Sequence, residues 1–323
     1  MNQSPQAATG KVAFICGVSG QDGAYLAAHL LDKGYVVFGS MRALPLPSQN
    51  NLARLGIEAR VRLVQLDPTC FDSVREQLAL AAPVEVYNLA GQSSVGASFQ
   101  QPFETWRSIE LAVLNWLEAI RRDAPETRFF NAGSGECFGS VSGTITEHTA
   151  MAPMSPYAAA KAAAHWQVSV YRESFGLHLG TGFLFNHESP LREARFVTRK
   201  IVDGARRIAA GEKQLLHLGN LNVWRDWGWA PDYVDAMWRM LQSPTASDYV
   251  IATGKCVSLQ YFVERAFAHF GLDWRQHVVR DAALLRPTDI PRTDADPSKI
   301  LRELDWRAAH SVEQVISLMA DAS

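Results

Sequence analysis

Lys11-Val-Ala-Phe-Ile-Cys-Gly-Val-Ser-Gly-Gln-Asp-Gly-Ala-Tyr-Leu26 carries an apolar run, a glycine-spaced turn and the start of a helical pattern that continues to Leu31. Lys11–Cys16 suits a strand buried on both faces. Gly17, Gly20 and Gly23 follow, enclosing Ser19, Gln21 and Asp22. A strand, a tight turn and a helix N-terminus gather free backbone N–H groups and the positive end of a helix dipole, the arrangement that cradles a pyrophosphate. An ordinary strand-to-helix turn is the alternative. The order of elements favours a dinucleotide, with these six residues around it.

Outward from that turn, a second strand, Val36–Ser40, ends at Met41-Arg42. The residue after this strand meets the adenosine ribose in such folds. An acid there would bind the free hydroxyls of NAD, whereas the guanidinium of Arg42 favours the extra phosphate of NADP. Asp67 closes the strand Val61–Leu66 and is placed to accept from adenine. Leu89, Ala90, Gly91 and Gln92 end the strand Val84–Leu89 with small residues where a cofactor lies against backbone.

Strands and helices then keep alternating. A helix over Phe71–Ala81, a long one over Phe103–Arg122, the strand Arg128–Ala132, the helix Pro156–Phe175 and the strand His178–Leu184 specify an α/β fold, a doubly wound parallel sheet of the Rossmann type. Residues 1–184 with 229–256 read as the nucleotide-binding domain. Residues 185–228 with 257–323 read as a smaller substrate lobe that includes a helix over Val197–Ala210.

The chain has 323 residues, 47% of them hydrophobic, ample for a sizeable core. A net charge of −2 offers neither a basic field for nucleic acid nor a polybasic membrane patch. Met1–Gly10 is polar and reads as a loose tail rather than a signal peptide. Cys16, Cys70, Cys137 and Cys256 are dispersed without metal spacing, as reduced thiols of a cytoplasmic protein, and no metal is expected.

Two segments carry chemistry. Tyr157 and Lys161 are four residues apart, one helical turn, so phenol and ammonium share a face. A fixed cation favours the phenolate and makes the tyrosine a general base toward a hydroxyl. Upstream, Gly133-Ser134-Gly135-Glu136 follows a strand; read as extended chain, positions 134 and 136 face one side and both enter the cleft. Ser134 can donate to a substrate oxygen. Its competing reading is a cap on the next turn, with Glu136 solvated.

Together these motifs resemble the extended short-chain dehydrogenase/reductases that act on nucleotide sugars. Tyr87-Asn-Leu-Ala-Gly-Gln-Ser93, Ser155-Pro-Tyr-Ala-Ala-Ala-Lys161, Leu184-Phe-Asn-His-Glu-Ser-Pro190, Phe196-Val-Thr-Arg-Lys200 and Arg225-Asp-Trp-Gly228 narrow it to the GDP-mannose 4,6-dehydratase family, from about Val12 to Trp306. The resemblance implies tightly held NADP and a GDP-mannose or related GDP-hexose substrate. It assigns Ser134, Glu136, Tyr157 and Lys161 to catalysis, His187 and Arg192 to the cofactor, and Ser93 to both ligands. Asn186, Arg199, Arg225, Arg286 and Asp289 go to the substrate. Glu136 gains a purpose here: a 4-epimerase or reductase of a related GDP-sugar has no carbon-5 proton to move.

The resemblance also implies a homodimer or homotetramer through the helices carrying Trp106, Trp116 and Trp166. Relatives have Thr-Ser-Glu at 134–136, a basic residue at Trp224, glutamate at Asp289 and an Arg- and Ser-rich loop at 42–48. A silent dinucleotide sensor is a different class of reading, and it has no use for the four catalytic side chains.

Overall fold

The computed structural model describes residues 10–322, so the expected N-terminal tail lies almost wholly outside the described residues. Its centre is a seven-stranded sheet: β1 (Val12–Cys16), β2 (Val36–Met41), β3 (Arg62–Gln65), β4 (Glu85–Asn88), β5 (Arg128–Ala132), β6 (Leu179–Leu184) and β7 (Tyr249–Ile251). Across the sheet the order is β7-β6-β5-β4-β1-β2-β3, and every pairing is parallel. The order reverses between β1 and β4, which opens a crevice at their carboxyl ends. β1, β4 and β5 are buried almost end to end, which is why β1 reads as an unbroken apolar run, while β4 buries Glu85 and Asn88 among its apolar residues.

Helices cover both faces. Gln21–Asp32 and Ala230–Gln242 pack on one, where Leu26, Leu30, Met237 and Met240 share a core with Ile15 and Ile251. Phe71–Ala81, Ala112–Asp123 and Pro156–Phe175 cover the other, around Phe14, Phe129 and Trp116. The stretch after residue 229 returns to the sheet as a helix and the strand β7.

A second core lies beyond β6. Helices Val197–Ala209, Leu259–His269 and Val312–Asp321 enclose Ile201, Phe262, Phe267 and Met319. A three-stranded sheet, Cys256–Ser258, Trp224–Trp229 and Asn186–Glu188, stands beside it. Ile300 and Trp306, expected in this smaller lobe, belong instead to the core of the main sheet, beside Leu26 and Met237.

The long helix expected over Phe103–Arg122 is interrupted. Pro102–Trp106 leads into a π-helical turn at Arg107–Leu111 before the α-helix resumes at Ala112. Trp116 is fully buried in the core and is not a surface residue, whereas Trp106 and Trp166 are exposed. Among the described residues, no helix is long and apolar enough to cross a membrane.

Candidate active site

The glycine turn forms as its spacing requires. Gly17 sits at φ +89, and a Cβ there would meet the Ala90 backbone at 3.0 Å. Gly23 is more constrained: a Cβ would come within 2.3 Å of the Gly17 carbonyl oxygen and 2.7 Å of Val18 Cα. Helix Gln21–Asp32 therefore starts hard against β1. Gly20 is its N-cap and supplies no side-chain cap, so the first N–H groups face the crevice uncapped by the chain itself. That suits a diphosphate. Ser19 accepts from Asn51 Nδ2 through its carbonyl oxygen at 3.0 Å, which pins the turn's outer edge.

The other expected cofactor residues divide. Arg42 ends at the tip of β2, exposed, with Glu104 as its nearest carboxylate at 3.9 Å. Asp67 is exposed after β3, and one of its oxygens accepts from Thr69 N and Oγ1 at 2.9 and 2.8 Å. Leu89 and Ser93 line the cleft, and Ala90 backs the glycine turn. Gln92 turns away from the cleft, its amide donating to the Ser94 carbonyl oxygen at 2.9 Å and to Thr105 Oγ1 at 3.1 Å.

The cleft itself, about 400 Å3, brings Ser134, Glu136, Tyr157 and Lys161 together with Asn186, His187, Arg192, Arg225, Arg286 and Asp289. Two strands and one helix build it. β5 ends at Ala132, helix Pro156–Phe175 begins with Ser155 capping Ala158 N at 3.1 Å, and the short strand Asn186–Glu188 brings in Asn186 and His187.

The segment after β5 is not extended. Ser134 is the N-cap of a 3-10 turn, Gly135–Phe138, and its Oγ accepts from Glu136 N at 3.2 Å. The capping reading and the catalytic one are thus compatible, because the turn itself carries Glu136 to the cleft. A Cβ at Gly135 would lie 3.0 Å from the Phe185 ring, so the serine that relatives carry there needs that ring to give by a few tenths of an ångström. Burial raises the Glu136 pKa, while Arg225 and Arg286 pull it down.

Tyr157 and Lys161 share a face, but the cation does not govern the phenol. Burial pushes the Tyr157 hydroxyl well above its usual value, and Ser134 works in the opposite direction. Lys161 is lowered by burial to about 8 and is spent on the backbone, its Nζ donating to the Ala132 carbonyl oxygen at 2.6 Å. The sequence could not show this, since the acceptor is a main-chain atom.

Arg225 is buried, with donors committed to the Ile290 and Trp224 carbonyl oxygens at 2.7 and 2.9 Å and to Asp289 at 3.1 Å. Arg286 approaches the same Asp289 oxygen at 3.8 Å. Arg192 lies on the Phe196 ring, 3.8 Å from its centroid, and 3.3 Å from Glu188.

Arg199 does not reach the cleft. It pairs with Asp203 at 2.7 Å and donates to the Pro190 carbonyl oxygen at 2.5 Å. Its neighbour Lys200 lines the cleft instead, as does Arg195. Helical rotation by one residue separates these two fates, and a motif read as a block does not show which side chain it favours.

The family model described as GDP-mannose 4,6 dehydratase matches residues 14–319. A curated relative from Arabidopsis thaliana, GDP-mannose 4,6 dehydratase 1, is 40% identical, covering 96% of this chain and 89% of its own. GDP-mannose 4,6-dehydratase of Sinorhizobium fredii is also 40% identical, with 94% of each chain covered. Among solved structures, dTDP-glucose 4,6-dehydratase from Bacillus anthracis in complex with NAD superimposes with a TM-score of 0.83 at 18% identity, over 96% of this chain and 95% of that one.

Proposed function

The chain belongs to the GDP-mannose 4,6-dehydratase family, and from that premise we propose that it converts GDP-mannose to GDP-4-keto-6-deoxymannose with the aid of a bound nicotinamide dinucleotide. The observation that carries this reading is a half-buried carboxyl, Glu136, lining the same cleft as Tyr157. The bound nicotinamide would accept hydride from sugar carbon 4, return it to carbon 6, and favour the Tyr157 phenolate by its positive charge.

The side chains do the rest. Tyr157 takes the proton of the carbon-4 hydroxyl, steadied by Ser134. The new ketone acidifies carbon 5, whose proton Glu136 removes. Glu136 then protonates the hydroxyl leaving carbon 6 as water. The proton taken up by Tyr157 balances the one that carbon 5 regains. A carboxyl raised by burial and held in check by Arg225 and Arg286 suits both of the tasks given to Glu136. Lys161, bound to Ala132, fixes the carboxyl end of β5 against the helix that carries Tyr157.

Gly17, Ser19, Gly20, Gln21, Asp22, Gly23, Leu89, Ala90 and Ser93 are proposed to form the dinucleotide site. Arg42 supports NADP over NAD, since no acid stands at the tip of β2 to meet a free ribose. Arg225, with Asp289 and Arg286 beside it, is the proposed diphosphate and nucleotide contact, together with Asn186. The exposed Phe103, Trp106, Trp166, Val170 and Phe175, on helices Pro102–Trp106 and Pro156–Phe175, support at least a homodimer through that face. Four free cysteines fit a reducing cytoplasm.

Incubating the purified protein with GDP-mannose and NADP+ tests the reading by mass spectrometry. Loss of one water with no net NADPH is expected. A product of unchanged mass would favour the epimerase reading, and net consumption of cofactor would favour a reductase.

A further inference from the structure

Asp22 occupies the first turn of helix Gln21–Asp32 as its one acidic residue there, and it lines the cleft. A free carboxylate at that place would repel an anionic dinucleotide approaching the same helix end. His187 meets it from across the crevice. The ring Nε2 lies 2.9 Å from Asp22 Oδ2, and Nδ1 lies 2.7 Å from the Phe185 carbonyl oxygen. A carbonyl oxygen can only accept, and so can a carboxylate, so both ring nitrogens donate, which an imidazole does only when doubly protonated.

The surroundings fit a cation. The ring is buried and stacked on Tyr233, with centroids 4.5 Å apart and planes at 24°. The pair is also fixed in place by its neighbours. Gln21 donates to the His187 carbonyl oxygen at 3.2 Å and to Asp22 at 3.0 Å, and Ser189 donates to Gln21 at 2.7 Å.

Resting on the family reading above, we infer that His187 is a fixed positive counter-charge to Asp22, cancelling that carboxylate so that the diphosphate of the cofactor can dock on the helix end. His187 is thus a positioning residue, acting through Asp22 rather than by touching the reacting atoms. The charged groups facing it are Asp22 from the helix and Arg192 from the loop that follows its own strand, while helix Ala230–Gln242 presents the neutral ring of Tyr233. Burial opposes its protonation and Arg192 repels it, but Asp22 outweighs both and the pKa of His187 is raised. Burial likewise opposes ionisation of Asp22, and His187 overcomes it, holding that carboxyl at about 2. The sign follows. The pair is complete below the ordinary histidine value of 6.5 and is lost as pH rises through the raised value of His187.

Imidazole nitrogen spectra of the protein without dinucleotide test the charge state, with H187Q providing the assignment. Both His187 nitrogens should carry protons at pH 7, and a neutral ring at that pH overturns the inference. Titration of NADP+ into the protein, followed by calorimetry, tests the consequence. H187Q should weaken binding about ten- to hundred-fold at low salt. The double variant H187Q with D22N should recover to within about threefold of wild type. A double variant as weak as H187Q would make the contact purely structural and sink the idea. If H187Q does not fold, D22N serves alone: its His187 should titrate lower than in wild type, and an unchanged titration overturns the pairing. A wild-type protein that binds no nicotinamide dinucleotide overturns the family reading first, whatever the imidazole spectra show.

Discussion

Lys161 Nζ and the Tyr157 ring centroid are 5.9 Å apart, and the ammonium is tethered to the Ala132 carbonyl oxygen rather than aimed at the phenol oxygen. The pair thus acts through the frame of the site: one residue holds the end of β5, and the other presents its hydroxyl beside Ser134. The two chemical tasks proposed for the site, oxidation at Tyr157 and elimination at Glu136, should then be separable by substitution.

Replacing Glu136 with Gln keeps the shape and removes the base. Turnover should fall about a hundred- to ten-thousand-fold, the usual contribution of acid–base catalysis. Substrate affinity should change little, and reduced cofactor should accumulate on the protein as a stalled state visible by absorbance. Tyr157→Phe should show no reduced cofactor at all. Normal turnover by E136Q would remove the carboxylate from the mechanism.

The pH profile has two limbs with distinct owners. Glu136 must be ionised to take the carbon-5 proton, and burial raises it above 4.5, so kcat/KM should begin to fall while pH is still above that value. Lys161 loses its proton near 8, so the alkaline limb should start there. In K161R the cation cannot titrate in this range, and the alkaline limb should move upward even if the rate is lower. An alkaline limb that stays near 8 in K161R would assign it to another group.

Arg225 and Arg199 give opposite expectations. Arg225→Lys keeps the charge but loses the planar fork, and KM for GDP-mannose should rise about tenfold or more. Arg199→Ala, outside the cleft, should shift KM by less than about threefold, with thermal unfolding as the control for the lost Asp203 pair. A large KM effect in R199A would restore it to the substrate site.

Trp166 is 57% exposed on helix Pro156–Phe175, one turn from Val170 at 56%. Trp166→Glu should convert a sedimenting dimer to monomer at micromolar concentration, because a charge would be buried without a partner. A wild-type protein that sediments as a monomer would refute the proposed interface.

Much of this was legible in the sequence. Strand Arg128–Ala132 and helix Pro156–Phe175 fall at the expected residues, because a buried apolar run and a Ser-Pro start with Gly176 beyond the end are local signals. The π-helical turn at Arg107–Leu111 was not legible, since one extra residue in a turn leaves the apolar spacing nearly intact. Ser134 and Glu136 reach the cleft by a tight turn rather than by strand alternation, a difference of backbone that glycine-rich sequence does not specify. Trp116 and Trp166 have the same side chain and opposite fates, set by which helix face meets the sheet. Of the cleft cations missed, Lys200 stands beside the chosen Arg199 and Arg195 four residues before it.

One edge strand of the main sheet comes from residues 249–251, and Ile300 and Trp306 complete the core beneath the helix that follows the glycine turn. The chain leaves that sheet after Leu184, builds part of the other core, and only then comes back. During synthesis, the half built on the main sheet cannot close when its first six strands have emerged, because helix Ala230–Gln242 must still cover Leu26 and Leu30. Neither half is a separable module, and a polypeptide cut at residue 185 would leave an apolar face open to water.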